Sequence, residues 1–513
     1  MRYATGFLLA GLAAMAAHPL LARSQSADAA NVTANWSSVE RTSNTVPTTQ
    51  ILAHSFTLRN NPMHNPEFKA LKDLHTNDTR LQLWFSVTRQ AVAELKPPTA
   101  TETFWDFTYI DPLVEDYYKN TKGAHHINMG TIPRWMFNVP EEQVPDDPAA
   151  SFYKYTDGTT GDLLKDPSGK QFADYQVRLY EWLTQGGFTD ELGKFHKGHH
   201  YKVDYWGILN EPDFENHITV EQYTKIWDSV ATAIHKVDPN VRFFSAEVSG
   251  AEVPWAKYFL DAKNHAADAP PVEYFCIHNY TNGTNEPSTW HDSYFVHPDM
   301  DVSNGASANA FGGRVRQVMK IRDDLSPKTT IMLDELGIFD IVVPTEESCR
   351  ADEPYHNYNP LYWNANGANW ADTFITAENL GVPLISMSQM DGYPTQCPSI
   401  SMMDGETRRP NAHYWALWLI THNFGPGDQL VATKSSTDDV VAQASITSAG
   451  KKLLLINTTD HDVPVNLAGA YASGRLRVQV VDQKSGEQHP RKEKASGQQV
   501  TLAPFAVAVV QGQ

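Results

Sequence analysis

At 513 residues the chain is longer than one ordinary domain and has room for a large core. Its hydrophobic share of 41% and charged share of 20% are those of a globular protein, which excludes disordered and fibrous classes. A formal net charge of −19 argues against nucleic acid and acidic membrane surfaces as partners, because both demand a basic footprint, and leaves a neutral ligand as the easiest one.

The chain opens with Arg2, an apolar run over 7–17 and small residues beyond, the pattern of a secretory signal too short to span a bilayer. Residues 1–29 are set aside as leader, with Ala22 and Ala29 as alternative cleavage points, and the mature protein is expected to be soluble and exported, periplasmic or extracellular. A polar stretch follows, with 51–57 as a first strand; the pair Asn65-Pro66 caps a helix over 66–74, and 80–87 reads as the second strand. A helix over 107–120, a strand over 125–131 and a helix over 170–184, stopped by Gly186-Gly187, come next. The fourth strand, 203–210, runs into Asn210-Glu211-Pro212. After it Thr219 and Gln222 form a capping box for a helix whose apolar face is Val220, Tyr223, Ile226, Trp227, Val230, Ile234 and Val237. Strands over 241–247, 272–279, 329–334 and 383–389, with helices over 315–325 and 368–379 among them, complete eight strands that alternate with helices. That order predicts an α/β fold, a (β/α)8 TIM barrel over 30–427. Beyond residue 428 helical periodicity stops, and short alternating runs at 440–446, 452–457, 475–481 and 498–510 predict a β-sandwich, to which the amino-terminal segment is free to add strands.

In a barrel of parallel strands, chemistry sits where the strands end. Glu211 is held at the exit of strand four by the proline after it, in an extended or turn conformation, and Glu335 stands at the exit of strand seven. These strands face one another across the barrel, so the two carboxylates converge over its axis. Paired carboxylates suit glycoside hydrolysis, in which one carboxyl group gives a proton to the leaving oxygen while the other, as an anion, stabilises or attacks the sugar cation. Strict strand alternation places Asp334 on the opposite side from Glu335. Arg80, Gln82 and Trp84 are candidates for the pocket floor.

The segments HINMGTIPRWM at 126–136, GGFTD at 186–190, NEPDFENH at 210–217 and LDELG at 333–337 resemble glycoside hydrolase family 39, the clan A family of β-xylosidases and α-L-iduronidases. The resemblance implies a barrel with a β-sandwich and a retaining mechanism in which Glu211 is the acid/base, Glu335 the nucleophile and Asn210 the partner of the sugar 2-hydroxyl. It further implies that His278 and Tyr280, after strand six, belong to the site, with Tyr280 hydrogen-bonding the nucleophile. The clan commonly places a Trp under the sugar at the end of strand eight, whereas this chain reads Ser386-Met387-Ser388-Gln389-Met390. Gln389 then joins the substrate-binding candidates, and Trp135 and Tyr393 are candidates for the missing platform. The expected ligand is an oligosaccharide or glycoside, with no metal or other cofactor; a catalytically silent sugar-binding barrel is the alternative.

The run His196-Lys197-Gly198-His199-His200 invites a metal reading, but it precedes strand four and so belongs to the opposite face from the carboxylates. The long connections over 132–170, 280–311 and 338–368 carry Trp135, Phe152, Tyr153, Tyr155, Trp290, Tyr294, Tyr355, Tyr358, Tyr362 and Trp363, which are expected to wall a pocket for exo action. Of the three cysteines, Cys276 reads as a buried apolar residue, and Cys349 and Cys397, in neighbouring loops, as a disulfide.

Overall fold

The computed structural model describes residues 29–150, 152–250, 252–281, 286–295, 311–338, 359–391, 400–472, 474–495 and 497–512. Residues 1–28 of the leader, Tyr355, Tyr358, Tyr393 and the Cys349–Cys397 pair lie outside them. Eight parallel strands form the barrel: Val46–Leu52, Asp78–Gln82, Ala124–Asn128, Tyr205–Gly207, Phe243–Phe244, Tyr274–Thr281, Thr330–Ile338 and Leu384–Met387. In barrel order they pair five to one, then eight to six. A parallel bridge between Val248 and Ile277 joins strands five and six and closes the ring.

The first strand lies earlier than the hydrophobic pattern places it. Its positions Thr48, Thr49 and Gln50 are buried polar residues, so an apolar count starts too late, and 55–57 is a short 3-10 turn instead. Thr49 satisfies its hydroxyl on the Met387 carbonyl, 2.8 Å away on strand eight. Gln50 and Arg80 are register neighbours, as are Arg80 and His126, which sets three polar side chains side by side on adjacent strands.

Outside the ring, the helix Val220–Val237 starts at Thr219, whose side chain accepts from the Gln222 amide at 3.3 Å while Gln222 Oε1 accepts from the Thr219 amide at 3.0 Å. It buries Tyr223, Ile226, Trp227, Val230 and Ile234, while Val220 and Val237 at its two ends are only partly buried. Two further helices, Glu252–Phe259 and Ala412–Thr421, escape the sequence reading, the second because it is buried on nearly every side and shows no polar face.

The second module is a mixed sheet of nine strands with its own core of Val32, Leu453, Leu455, Val465 and Val478 among others. Ala30–Thr42 is one of its strands, antiparallel to Gln429–Ser435 and parallel to Val463–Gly469, so the chain enters the barrel only after completing part of the sandwich. Phe505 of this module lies 5.5 Å from Trp290 and 6.0 Å from Phe295 of the barrel, between ring centroids. No helix among the described residues is long and apolar enough to cross a membrane.

Candidate active site

Strand four leaves the barrel through a tight turn. Leu209 and Glu211 have φ of 67° and 40°, so Glu211 is left-handed rather than extended. Such backbone costs a non-glycine residue about 1–3 kcal/mol and persists only where neighbours impose it. Here the Glu211 amide donates to the Glu247 carbonyl at 2.9 Å, and the Glu211 carbonyl accepts from the amides of Phe214 at 2.9 Å and Glu215 at 2.8 Å.

Strand seven departs from simple alternation. Leu333 pairs with Ile277 and Glu335 with His278, which leaves Asp334 as the extra residue of a β-bulge. Both carboxylates therefore reach the interior, contrary to the alternation argument. Asp334 lies 3.6 Å from His278 Nε2 and 3.8 Å from Arg80 Nε, while Glu335 lies 2.7 Å from Arg80 Nη1.

His278, fully buried, joins the two exits: its Nδ1 is 2.8 Å from Glu211 Oε1 and 3.8 Å from Glu335 Oε2. The ligand-type atoms of Glu211, His278 and Glu335 all lie within 4.8 Å of one another. Tyr280 donates its hydroxyl to Glu335 Oε1 at 2.5 Å and lies 2.7 Å from the Ser388 hydroxyl.

The electrostatics divide the carboxylates. Burial raises Glu211 above its ordinary value; the hydrogen bond and charge of His278 oppose this, and the Glu335 charge adds to it. Burial acts on Glu335 in the same sense, but His278, Arg80 and the Tyr280 hydroxyl outweigh it and hold the carboxyl below the ordinary range. Burial opposes a charge on His278, yet Glu335 and Asp334 raise it well above the usual histidine value. The surroundings thus push the two carboxyl groups in opposite directions, Glu211 up and Glu335 down.

Arg80 organises the floor. Its Nη2 donates to Asn210 Oδ1 at 2.6 Å and to Glu247, and its Nη1 donates to Glu335, to Gln50 and, at 3.2 Å, to Gln82. Glu247 escapes the sequence reading as a site residue. Burial pushes its carboxyl up, but the Arg80 guanidinium against it brings it down to about 2. Asn128 donates to it at 2.8 Å, and Gly207 is required beside it, since a Cβ there would come within 2.5 Å of Glu247 Oε1.

Of the sequence candidates, Arg80, Asn210, Glu211, His278, Tyr280 and Glu335 form this one network, and Gln389 reaches it through Gln50 at 3.4 Å. Trp135 stands apart, with its indole donating to the Glu94 carbonyl at 2.8 Å. The expected aromatic wall is also reduced: Tyr155, Trp290, Tyr294 and Tyr362 are core residues, fully buried or nearly so. His196 and His199 pair separately, with Asp190 at 2.8 Å and Asp111 at 2.5 Å. Donor atoms of His126, Glu247 and Asp334 also cluster within 4.8 Å, but the Arg80 guanidinium already lies on Glu247 and near Asp334, so the place of a cation is filled by a side chain.

A (β/α)8 barrel with a carboxylate at the exits of strands four and seven, followed by a β-sandwich, is an architecture shared with solved glycoside hydrolases, and the chain resembles family 39 in fold. The family 39 β-xylosidase of Caulobacter crescentus superposes with a TM-score of 0.56 at 13% identity, over 94% of this chain and 99% of that one. The family 39 enzyme of Xanthomonas axonopodis pv. citri gives 0.56 at 14% identity, over 94% and 96%. A family 51 α-L-arabinofuranosidase of Bifidobacterium longum gives 0.58 at 12% identity, over 94% and 99%. Residues 437–510 match the D-apionate lactonase C-terminal immunoglobulin-like domain family. No curated protein matches the chain in sequence.

Proposed function

We propose that the protein is an exported, retaining glycoside hydrolase, β-xylosidase-like and acting on chain ends of plant or microbial glycans, with Glu211 as acid/base and Glu335 as nucleophile. The observation that carries this reading is the pair itself: their facing oxygens lie within 4.8 Å, and their surroundings push the two carboxyl groups in opposite directions. Oxygens this near support retention, in which the carboxyl groups stand about 5–5.5 Å apart, rather than inversion, in which about 6.5–9.5 Å leaves room for a water.

In the first step Glu335 attacks the anomeric carbon as the bond to the leaving oxygen breaks, and Glu211 passes its proton to that oxygen. Arg80 and Tyr280 hold Glu335 in line, and Asn210, fixed by Arg80, meets the sugar 2-hydroxyl. The ester neutralises Glu335, so Glu211 loses one of the charges that kept its proton bound and can deprotonate the water that attacks the same carbon. Xylosides and arabinosides are the first substrates to try, because solved structures of similar fold act on them. The test is hydrolysis of a panel of aryl glycosides by the full chain, with soluble polysaccharides added to follow chain-end release against viscosity loss. Binding of sugars with no turnover would favour the silent barrel.

A second reading has one observation behind it: residues 437–510 match a domain of D-apionate lactonases, which favours a sugar lactone as substrate. The carboxylate network lies wholly outside the matched residues, so the glycosidase reading stands first; aldonolactones in the same panel separate the two.

A further inference from the structure

The turn after strand four brings a third carboxyl group to the same exit. Glu215 Oε1 accepts two hydrogen bonds, from Trp84 Nε1 at 2.7 Å and from Asn210 Nδ2 at 2.8 Å. Its second oxygen accepts no hydrogen bond among the described residues, and the side chain is partly exposed. Trp84, just past strand two, is also partly exposed. Its indole is fixed by Glu215 and by the edge of Phe85, at 5.1 Å and 69°. Just past strand eight, Ser388 offers a hydroxyl, engaged by Tyr280 and by Gln50 at 3.0 Å, in place of a ring.

We propose that Trp84 and Glu215 are a specificity-determining pair, in which the indole face of Trp84 packs on the apolar face of the sugar and the second oxygen of Glu215 binds the hydroxyl next to the one met by Asn210. This rests on the glycosidase reading and narrows its substrate class. Asn210 and Glu215 are hydrogen-bonded to each other, so their remaining polar atoms present neighbouring contacts, and neighbouring contacts suit neighbouring hydroxyls. The sugar accepted is then one whose 2- and 3-hydroxyls are both free, and glycans substituted there are refused. Burial, with the charge of Glu211 adding to it, holds the Glu215 carboxyl well above the ordinary range.

The experiment compares kcat and KM on nitrophenyl glycosides and their 3-deoxy analogues, with Kd for the same probes on the Glu335→Gln protein as a readout independent of turnover. The wild type is expected to lose about tenfold or more in kcat/KM when the 3-hydroxyl is removed. Glu215→Ala should lose a similar factor on the parent sugar and nothing further on the 3-deoxy one. Glu215→Gln should fall between, because its amide oxygen still accepts from Trp84 and Asn210. Trp84→Ala should weaken KM and Kd about tenfold for both sugars, with Trp84→Phe recovering most of the loss. A 3-deoxy penalty that persists undiminished in Glu215→Ala overturns the pair, and so does binding unchanged by Trp84→Ala. Binding with the expected pattern but no hydrolysis by the wild type sinks the glycosidase reading and leaves the pair standing; no binding of any probe overturns both.

Discussion

Arg80 Nη1 donates to Glu335 Oε2 at 2.7 Å, joining residues 255 apart in sequence across the top of the barrel. Its Nη2 holds Asn210 beside Glu211, so one buried guanidinium sets the position of the proposed nucleophile relative to the sugar-binding amide. A lysine offers a point charge instead of a fork and cannot make both contacts. Arg80→Lys is therefore expected to lower kcat about 100-fold, with the circular dichroism spectrum unchanged; activity near that of the wild type would contradict the positioning role.

Glu247 should matter to both fold and activity. Glu247→Gln leaves the buried Arg80 without a full partner, and breaking such a pair costs about 3–5 kcal/mol. Urea unfolding is expected to show that loss, together with a fall in kcat as Arg80 shifts. Gly207→Ala, which drives a Cβ toward Glu247 Oε1, should reproduce part of both effects in the same assays.

The pH dependence follows from the opposite shifts. Glu335 must be anionic and its pKa lies below 4.5, so activity is present above that depressed value and lost as pH falls through it. Glu211 must be protonated and its pKa lies above 4.5, so activity is lost as pH rises through the raised value. The profile of kcat/KM is expected to be a bell with its two limbs on either side of 4.5. Tyr280→Phe removes one donor to Glu335 and should move the acid limb upward. An acid limb that stays in place would count against the Tyr280 contact.

A second buried acidic pair makes a prediction about stability. Glu67 and Asp391 are both fully buried, with His54 Nδ1 3.1 Å from Asp391 Oδ2. Burial, then the Asp391 charge, raises Glu67 well above its ordinary value, and burial brings Asp391 to about 7. For carboxyl groups raised in the folded state, the stability they contribute is full below the unfolded value and is lost as pH rises through the folded one. Tm is expected to fall as pH rises from about 4 through about 7, and Glu67→Gln, which cannot ionise, to flatten that fall. Parallel Tm curves for wild type and variant would contradict the assignment.

Glu211 and Glu335 are legible in the sequence because each closes an apolar strand and sits in a motif with a known likeness. Glu247 is not, since its strand is only Phe243–Phe244 and the chain then turns with φ of 76° and 45° at Ala246 and Glu247, where neither helical nor strand periodicity applies. The Asp334 bulge is equally silent, because one inserted residue changes which side chains face inward without changing composition. The loop aromatics mislead for a different reason: Trp290 and Tyr362 pack 6.1 Å apart in the core, and a count of rings in loops does not distinguish a ligand wall from a packed interface. Glu215 lies within a quoted motif, but its contact with Trp84 depends on the turn at Glu211 and so appears only in three dimensions.

The most direct test of the central claim is proton NMR of the first-formed sugar during wild-type hydrolysis of an aryl glycoside, before mutarotation scrambles the anomers. Glu335 attacking and water then displacing it are two inversions, so the account predicts a product with the anomeric configuration of the substrate. In the same assay Glu335→Ala with azide should give the opposite anomer of the glycosyl azide, and Glu211→Ala with azide the same anomer. A first-formed product of inverted configuration from the wild type would contradict the account.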